Sequence, residues 1–285
     1  MCNVRCVWCW MYNSSRKDMG LMDMQSFRTA VDLSADYLKE KRFPVVLQHR
    51  GESLLHPGFF EMLRYAGDKG LNIGGIHTNF NVSVDMERLV ESPLPSILVN
   101  MGGITRDIHE KVMRGSSYDL VVENLKSILR KIRVQRSDKK VFLKINPTKD
   151  NFFQLGDAPA YFESLGGDPS NFQIGRTAFF LPHEASREEI EDYFSNIVSK
   201  AVEPYLTFTY DRDLHIFPKF GGCTMIMPAV LWDGRVTICC QDQLGILNLG
   251  NAFRTSLGEI LQSRMGRLTE SRGRERKLPI CRYCN

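Results

Sequence analysis

Between residues 22 and 180 this 285-residue chain switches repeatedly between two hydrophobic periods, and that alternation restricts its fold more than any other feature. The stretch 22–41, MDMQSFRTAVDLSADYLKEK, sets Phe27, Ala30, Val31, Ser34, Ala35 and Leu38 at helical spacing. The apolar run at 43–53 closes on a glycine turn, as a buried strand does. Residues 56–70 return to the helical period and stop at Gly70. Strand-like 71–82 is followed by helical 85–92, strand-like 96–103 and strongly helical 118–133. A strand over 139–148, a helix over 151–167 and a further strand over 171–180 complete the series. Strands and helices alternating at this length predict an α/β fold whose parallel sheet has right-handed crossovers. Roughly five strands fit a partial or complete βα (TIM-like) barrel.

The pattern then changes. Residues 181–220 read as a bridge, an acidic helix at 186–202 followed by an extended 205–217. From Gly221 onward, TMIMPAVLWDGRVTIC (224–239) predicts two strands around an Asp233-Gly234 turn. A short helix at 255–263 is capped by Thr255 or Ser256. The expected organisation is a core over 1–180, a bridge over 181–220 and a small hairpin-plus-helix domain over 221–285. There is no internal repeat and no low-complexity tract.

Apolar residues make up 43% of the chain and charged residues 25%, ordinary values for a globular protein, and the net charge is only +4. Basic residues concentrate only in 264–277, RMGRLTESRGRERK. No aromatic residue is interleaved there, so it reads as a solvated segment and no nucleic-acid partner is expected. No apolar run approaches a membrane span, and the opening lacks the apolar stretch of a signal peptide. The expected compartment is therefore the reducing cytoplasm, where clustered cysteines read as metal ligands or redox groups before they read as disulfides.

The eight cysteines are Cys2, Cys6, Cys9, Cys223, Cys239, Cys240, Cys281 and Cys284, with none between Cys9 and Cys223. Two sites are implied, one at each end. Three thiols cannot pair evenly, and structural zinc normally takes four ligands. A [4Fe–4S] cube held by three thiolates keeps one iron open for an outside ligand. The spacing C-x3-C-x2-C, with Trp8 just before the last cysteine, resembles the signature of the radical S-adenosylmethionine (SAM) enzymes. That resemblance implies that Cys2, Cys6 and Cys9 hold a [4Fe–4S] cluster. Its open iron chelates the amino and carboxylate groups of SAM, and Trp8 packs on the adenine. It implies reductive cleavage of SAM to a 5′-deoxyadenosyl radical that abstracts a substrate hydrogen.

Later segments extend the likeness. Arg50-Gly51-Glu52-Ser53 stands where the family has Gly-Gly-Glu-Pro, implying that Gly51 and Glu52 hold the SAM amino group. Thr78-Asn79 matches a Thr-Asn-Gly strand end, with Phe80 replacing the glycine and implying an altered loop. In LVNMGGITRDIHEKVMRG (98–115), Asn100 and Gly102 take the Ser and Asp positions of a Ser-x-Asp-Gly motif near the SAM ribose. Gly103 and Arg114-Gly115 are retained. Lys144, Asn146 and Arg176 fall where the family lines its cofactor cavity. The family also has a strand just before the triplet, whereas this chain starts one residue before Cys2. Either the numbering starts inside the natural protein or the first strand is missing, and a barrel missing it would carry an exposed edge and a poorly anchored cluster loop.

Cys223, ten residues, Gly234, four residues and Cys239, closed by Cys281-x2-Cys284, resembles the SPASM auxiliary-cluster domains of the same family and their shortened twitch form. Cys223, Cys239, Cys281 and Cys284 suffice for one auxiliary [4Fe–4S] cluster; a zinc ribbon is the rival reading. Cys240 is a buried neighbour, a thiol that returns a hydrogen atom to a substrate radical, or the cluster ligand in place of Cys239. In length and cysteine layout the plan resembles the family's 2-deoxy-scyllo-inosamine dehydrogenases. An oxidoreductase acting on a sugar-like or aminocyclitol substrate is the leading expectation. An epimerase, a maturase of ribosomally made peptides and a non-catalytic zinc-binding interaction protein are the alternatives. The implied partners are a small-molecule or peptide substrate and an electron donor such as flavodoxin or ferredoxin, with no membrane.

Overall fold

Short antiparallel β1 (Arg5–Cys6) leads, after an interval, into helix α1 (Met24–Lys41). The computed structural model describes residues 1–9, 20–175, 186–197, 199–206, 208–210, 216–218, 228–237, 242, 245 and 247–263. Helix α1 starts where the Asp23 carboxylate accepts the Ser26 N–H at 2.9 Å, and it buries Phe27, Ala30, Val31, Ser34 and Ala35, the expected face. Helix α2 (Phe59–Asp68) then precedes β2 (Ile76–Thr78), and α3 (Met86–Glu91) precedes β3 (Ser96–Met101). Helix α4 (Arg106–Val112) runs into β4 (Met113–Arg114), and α5 (Tyr118–Gln135) precedes β5 (Lys140–Ile145). Helix α6 (Ala158–Ser164) leads to β6 (Phe172–Ile174).

Strands β2, β3, β5 and β6 form one parallel sheet in that order, an open partial barrel. Its buried face carries Ile76, Ile97, Val99, Met101, Val141, Leu143 and Ile145, packed with Leu63, Leu89, Leu125, Ile128 and Phe162 from the helices. Each such side chain contributes roughly 1.5–3 kcal/mol relative to an exposed one. The two-residue strand period turns His77, Leu98, Asn100, Phe142, Lys144 and Gln173 to the other face.

The strand expected over 43–53 shrinks to one parallel bridge, Val45 to Ile73. Pro44 has no N–H to give, and the Gln48 side chain takes the His77 N–H at 2.7 Å, where a backbone carbonyl would otherwise continue the ladder. In the bridge, α7 (Arg187–Ile197) is the expected helix. The extended stretch after it contains a hairpin, β7 (Phe208–Tyr210) against β8 (Ile216–Pro218).

The final unit pairs β9 (Ala229–Val230) with β10 (Val236–Thr237) around the expected Asp233-Gly234 turn, Gly234 lying at φ +84°. Ser256 decides the cap of the helix over 257–263: it accepts the Glu259 N–H while Glu259 takes the Ser256 N–H, both at 3.2 Å. Val236, Leu249, Leu257, Ile260 and Leu261 pack on Ala30, Tyr37 and Leu38 of α1, and the Leu257 N–H reaches Ser34 Oγ at 3.1 Å. Among the described residues, no helix is long and apolar enough to cross a membrane.

Candidate functional site

The cysteine triplet sits on a braced loop. Arg5 and Cys6 pair with Arg114 and Met113, and the Val7 N–H continues the contact to the Val112 carbonyl at 3.0 Å. The Cys9 N–H closes back on the Cys6 carbonyl at 2.9 Å. Val4 and Val7 are buried while the three cysteines and Trp8 are half-buried, so the loop is anchored by its valines. Strand β4 and the Met1 carbonyl brace the loop. Burial pushes the Cys6 thiol well up, and the nearby Cys9 and Cys2 charges add to it. Cys2 is raised by burial, with the Glu52 charge contributing. The three sulfurs therefore act on one another. Among the described residues, no three His, Cys, Asp or Glu side chains are grouped to hold a single metal ion. Three thiolates with no nitrogen or oxygen donor are the kind of ligand set an iron–sulfur cluster takes.

The loop after the Val45 bridge closes on the triplet. Gly51 has φ +78°, and a Cβ there would lie 2.0 Å from the Met1 carbonyl oxygen, so only glycine fits. The next residue, Glu52, donates its N–H to that carbonyl at 2.9 Å. Its carboxylate is buried: Oε1 accepts from Thr78 Oγ1 at 2.9 Å and the Leu54 N–H at 3.1 Å, and Oε2 from the Asn79 N–H at 2.6 Å. Burial raises its pKa, and these bonds oppose the rise. The Asn79 amide donates to Asn3 Oδ1 at 3.0 Å and toward Cys2 Sγ at 3.7 Å. Gly51, Glu52, Thr78 and Asn79 thus form one network with Cys2.

Phe80 lies at φ +54°, the left-handed region that suits glycine, so the backbone hand of a Thr-Asn-Gly end is kept. A non-glycine residue there costs about 1–2 kcal/mol. The fully buried Phe80 ring, part of the main core, offsets it.

Asn100 is half-buried at the end of β3, its amide 3.5 Å from the Thr78 carbonyl. No side chain fits at Gly102, where a Cβ would come within 2.7 Å of the His109 carbonyl oxygen. Lys144 and Asn146 converge at the end of β5, where a Cβ on Gly175 would lie 2.6 Å from Lys144 Cε and 1.9 Å from Asn146 Oδ1. Arg176, Cys223, Cys239, Cys240, Cys281, Cys284 and the 264–277 segment lie outside the described residues.

Several buried polar residues went unread in the sequence. His109 accepts the Gly102 N–H on Nδ1 at 3.2 Å, which leaves the proton on Nε2 to face Ser116 Oγ at 2.8 Å. Burial holds its pKa down at about 4. Asn151 donates to the Gly102 and Asn146 carbonyls at 2.8 and 2.9 Å, and Asn124 to the Phe80 and Val82 carbonyls, both at 2.8 Å. Asn124 falls on the apolar stripe of α5 with Val121, Leu125 and Ile128, a position that marks a buried amide. Asp242, fully buried, accepts from Thr237 Oγ1 at 2.7 Å and the Leu247 N–H at 2.8 Å. Its backbone bonds His49, whose pKa burial and Arg50 lower to about 4. That contact joins the segment before Gly51 to the C-terminal unit.

The sequence model of the Radical SAM superfamily matches residues 1–146, and that of SPASM, an iron-sulfur cluster-binding domain, matches 223–285. No curated protein matches the sequence. Among solved structures, anSMEcpe with bound AdoMet is similar with a TM-score of 0.65 and 17% identity, over 99% of this chain and 81% of that one. Streptococcus suis SuiB bound to S-adenosylmethionine gives 0.57 and 15%, over 91% of this chain and 62% of that one. BtrN in complex with AdoMet and 2-DOIA gives 0.52 and 17%, over 100% and 89%. At these identities the likeness is one of fold.

Proposed function

This chain belongs to the radical SAM superfamily, and on that premise we propose that it oxidises a small sugar-like or aminocyclitol substrate by removing a hydrogen atom from carbon. Bound through a cluster on Cys2, Cys6 and Cys9, SAM supplies a 5′-deoxyadenosyl radical competent for that removal. The observation that carries the reading is the hydrogen-bonded network that ties Glu52, Thr78 and Asn79 to Cys2.

In this reading Gly51 keeps the triplet backbone within reach and Glu52 turns its remaining lone pair to the SAM ammonium. Trp8 faces the adenine, and Asn79 and Asn100 offer amides to cofactor and substrate hydroxyls. Thr78 holds the Glu52 carboxylate in place. Lys144, Asn146 and Arg176 line the cavity. Cys223, Cys239, Cys281 and Cys284 are the proposed ligands of one auxiliary cluster in a twitch-type domain over 221–285, reached from the 1–180 core through the 181–220 bridge. The similarity to BtrN, which spans nearly the full length of both chains, supports a small substrate.

Anaerobic reconstitution with SAM tests the reading. Iron with acid-labile sulfide, 5′-deoxyadenosine, and deuterium carried into that product from a labelled polyol are the expected results. Zinc without sulfide would overturn the enzyme assignment, and deuterium transfer only from a peptide would replace the substrate class. Cys240→Ala separates oxidation from epimerisation: a dehydrogenase keeps its product, whereas an epimerase still forms 5′-deoxyadenosine but loses inverted product and solvent deuterium incorporation.

A further inference from the structure

We propose that Lys144 forms an anion-binding subsite for the substrate, so that within the substrate class above the oxidised molecule is a sugar-like acid bearing a carboxylate or phosphate rather than an aminocyclitol. The proposal deepens the reading above and rests on it, since it takes the open end of the sheet as the hydrogen-abstraction site.

Lys144 stands on the face of β5 opposite the core, level with Asn100 on β3 and Gln173 on β6. It is half-buried and makes no hydrogen bond or ion pair with any described residue. Burial alone shifts its pKa, downward, and no carboxylate opposes the shift. A desolvated ammonium without a counter-charge is unfavourable, and such groups persist mainly where a ligand supplies the missing partner. Glu52, the buried acid near this end of the sheet, already accepts from Thr78, Asn79 and Leu54.

The lysine is also held. Gly175 donates its N–H to the Ile145 carbonyl at 2.8 Å, and its bare Cα lies against the Lys144 stem and the Asn146 amide. Any side chain at 175 would displace both. Among the described residues, Lys144 is level with Asn100 and Gln173 across the sheet and Asn146 lies near its stem, neutral amides that can donate to an oxyanion without competing for its charge. His77 lies on the same face of β2, and its pKa is lowered by burial and then by the Lys144 charge. A neutral ring there still donates one N–H. Among the described residues no carboxylate offsets the Lys144 charge, which a substrate ammonium would meet.

The cofactor's own carboxylate is the competing occupant. Asn79, which reaches Cys2, extends β2, whereas Lys144 is on β5 with β3 between them. Two strand spacings, about 10 Å, therefore separate the lysine backbone from the triplet's edge of the sheet.

Competitive reductive methylation of the reconstituted full chain, read by mass spectrometry, decides the matter. On the SAM-loaded protein, inorganic phosphate or malonate should slow methylation of Lys144 about fivefold when present at about four times its dissociation constant. Lys139, whose ammonium is satisfied within the fold, should be unaffected, and chloride should protect neither. Absence of protection by both anions overturns the subsite. Full protection of Lys144 by SAM alone overturns it too, because the carboxylate is then the cofactor's. Formation of 5′-deoxyadenosine in the same preparation reports separately on the parent reading: product with an unprotected Lys144 sinks only the subsite, and protection without product sinks only the hydrogen-abstraction reading.

Discussion

Lys139, immediately before β5, and Lys144, near its end, meet opposite fates. At the N-terminal end the Lys139 ammonium donates to the Ser92 carbonyl at 3.0 Å and to the Leu94 carbonyl. The Lys140 N–H closes on Pro95 at 3.1 Å, and Ser92 Oγ closes on Leu89 at 2.8 Å. Every one of these groups is spent on the fold. At the C-terminal end Lys144 has no such partner among the described residues, Asn100 is held only at 3.5 Å, and Gly51 and Phe80 sit at positive φ. One end spends its hydrogen-bonding capacity on the chain itself, and the other keeps capacity in hand for a ligand. That division is the one parallel βα sheets place their chemistry by. Substitutions at the C-terminal end should remove function ahead of stability, and those at the N-terminal end stability ahead of function.

The largest effect belongs to the triplet. Cys6→Ala should abolish 5′-deoxyadenosine formation while the C-terminal iron and sulfide remain, leaving the chain folded. Wild-type product from this variant would break the comparison outright.

His109 is the exception that sharpens it, a fully buried residue at the functional end whose role is to hold the fold. Its pKa drops from 6.5 in the unfolded chain to about 4 in the folded one. Between those values the unfolded chain binds the proton first, so stability is intact above about pH 6.5 and is lost as pH falls towards 4. The full loss is roughly 3 kcal/mol. Denaturant titrations should show that slope in the parent chain. His109→Phe should be less stable at pH 7 and flatter with pH; an unchanged slope would mean His109 is not the group responsible.

Glu52→Gln comes next. The amide has one acceptor oxygen where the carboxylate has two, so either Asn79 or Thr78 loses its partner. A charge-assisted bond of roughly 1.5–3 kcal/mol is removed. SAM affinity should fall by about one to two orders of magnitude, measured by equilibrium dialysis. An unchanged dissociation constant would place the SAM ammonium elsewhere.

What could be read from the sequence follows the range of the forces involved. Helices α1 and α5 were legible from their apolar stripes, and the structure adds a local cap to each, Asp23 and Ser117. Residues 43–53 were not, because what ends their pairing is Gln48 reaching His77, a contact absent from the local pattern. The hairpin in 205–217 likewise gave no turn signal, whereas Asp233-Gly234 did. Glu52, Thr78 and Asn79 were legible as motif positions, and the structure adds that they bind one another. His109, Asn151 and Gln154 escaped notice because a lone polar residue reads as surface until its distant partner is known. Gln154 meets the Ile104 N–H at 2.9 Å and Thr105 Oγ1 at 2.8 Å, both on the loop after β3.

Returning to the closed end, Lys139→Met should leave the Ser92 and Leu94 carbonyls without their donor, a loss of about 1–3 kcal/mol. The midpoint of chemical unfolding should fall, with 5′-deoxyadenosine per folded molecule unchanged. A selective loss of turnover at full stability would show that the two ends of β5 are not divided as described.

The smallest effect is a gain. Arg136 ends α5 at φ +51°, where its N–H reaches the Ile132 and Arg133 carbonyls, and its side chain is exposed. An L side chain in that conformation is strained, and glycine is the residue that usually ends a helix this way. Arg136→Gly removes the strain but gives the unfolded chain more freedom to lose, so the net stabilisation should be only about 0.5–1 kcal/mol. The position feeds β5 at its N-terminal end, far along the strand from Lys144, so SAM binding and cleavage should not move. Paired denaturation and SAM-binding measurements on this one variant read both ends of the sheet at once. A change in SAM affinity with no gain in stability would mean that strain at the closed end is transmitted along β5 to the open one.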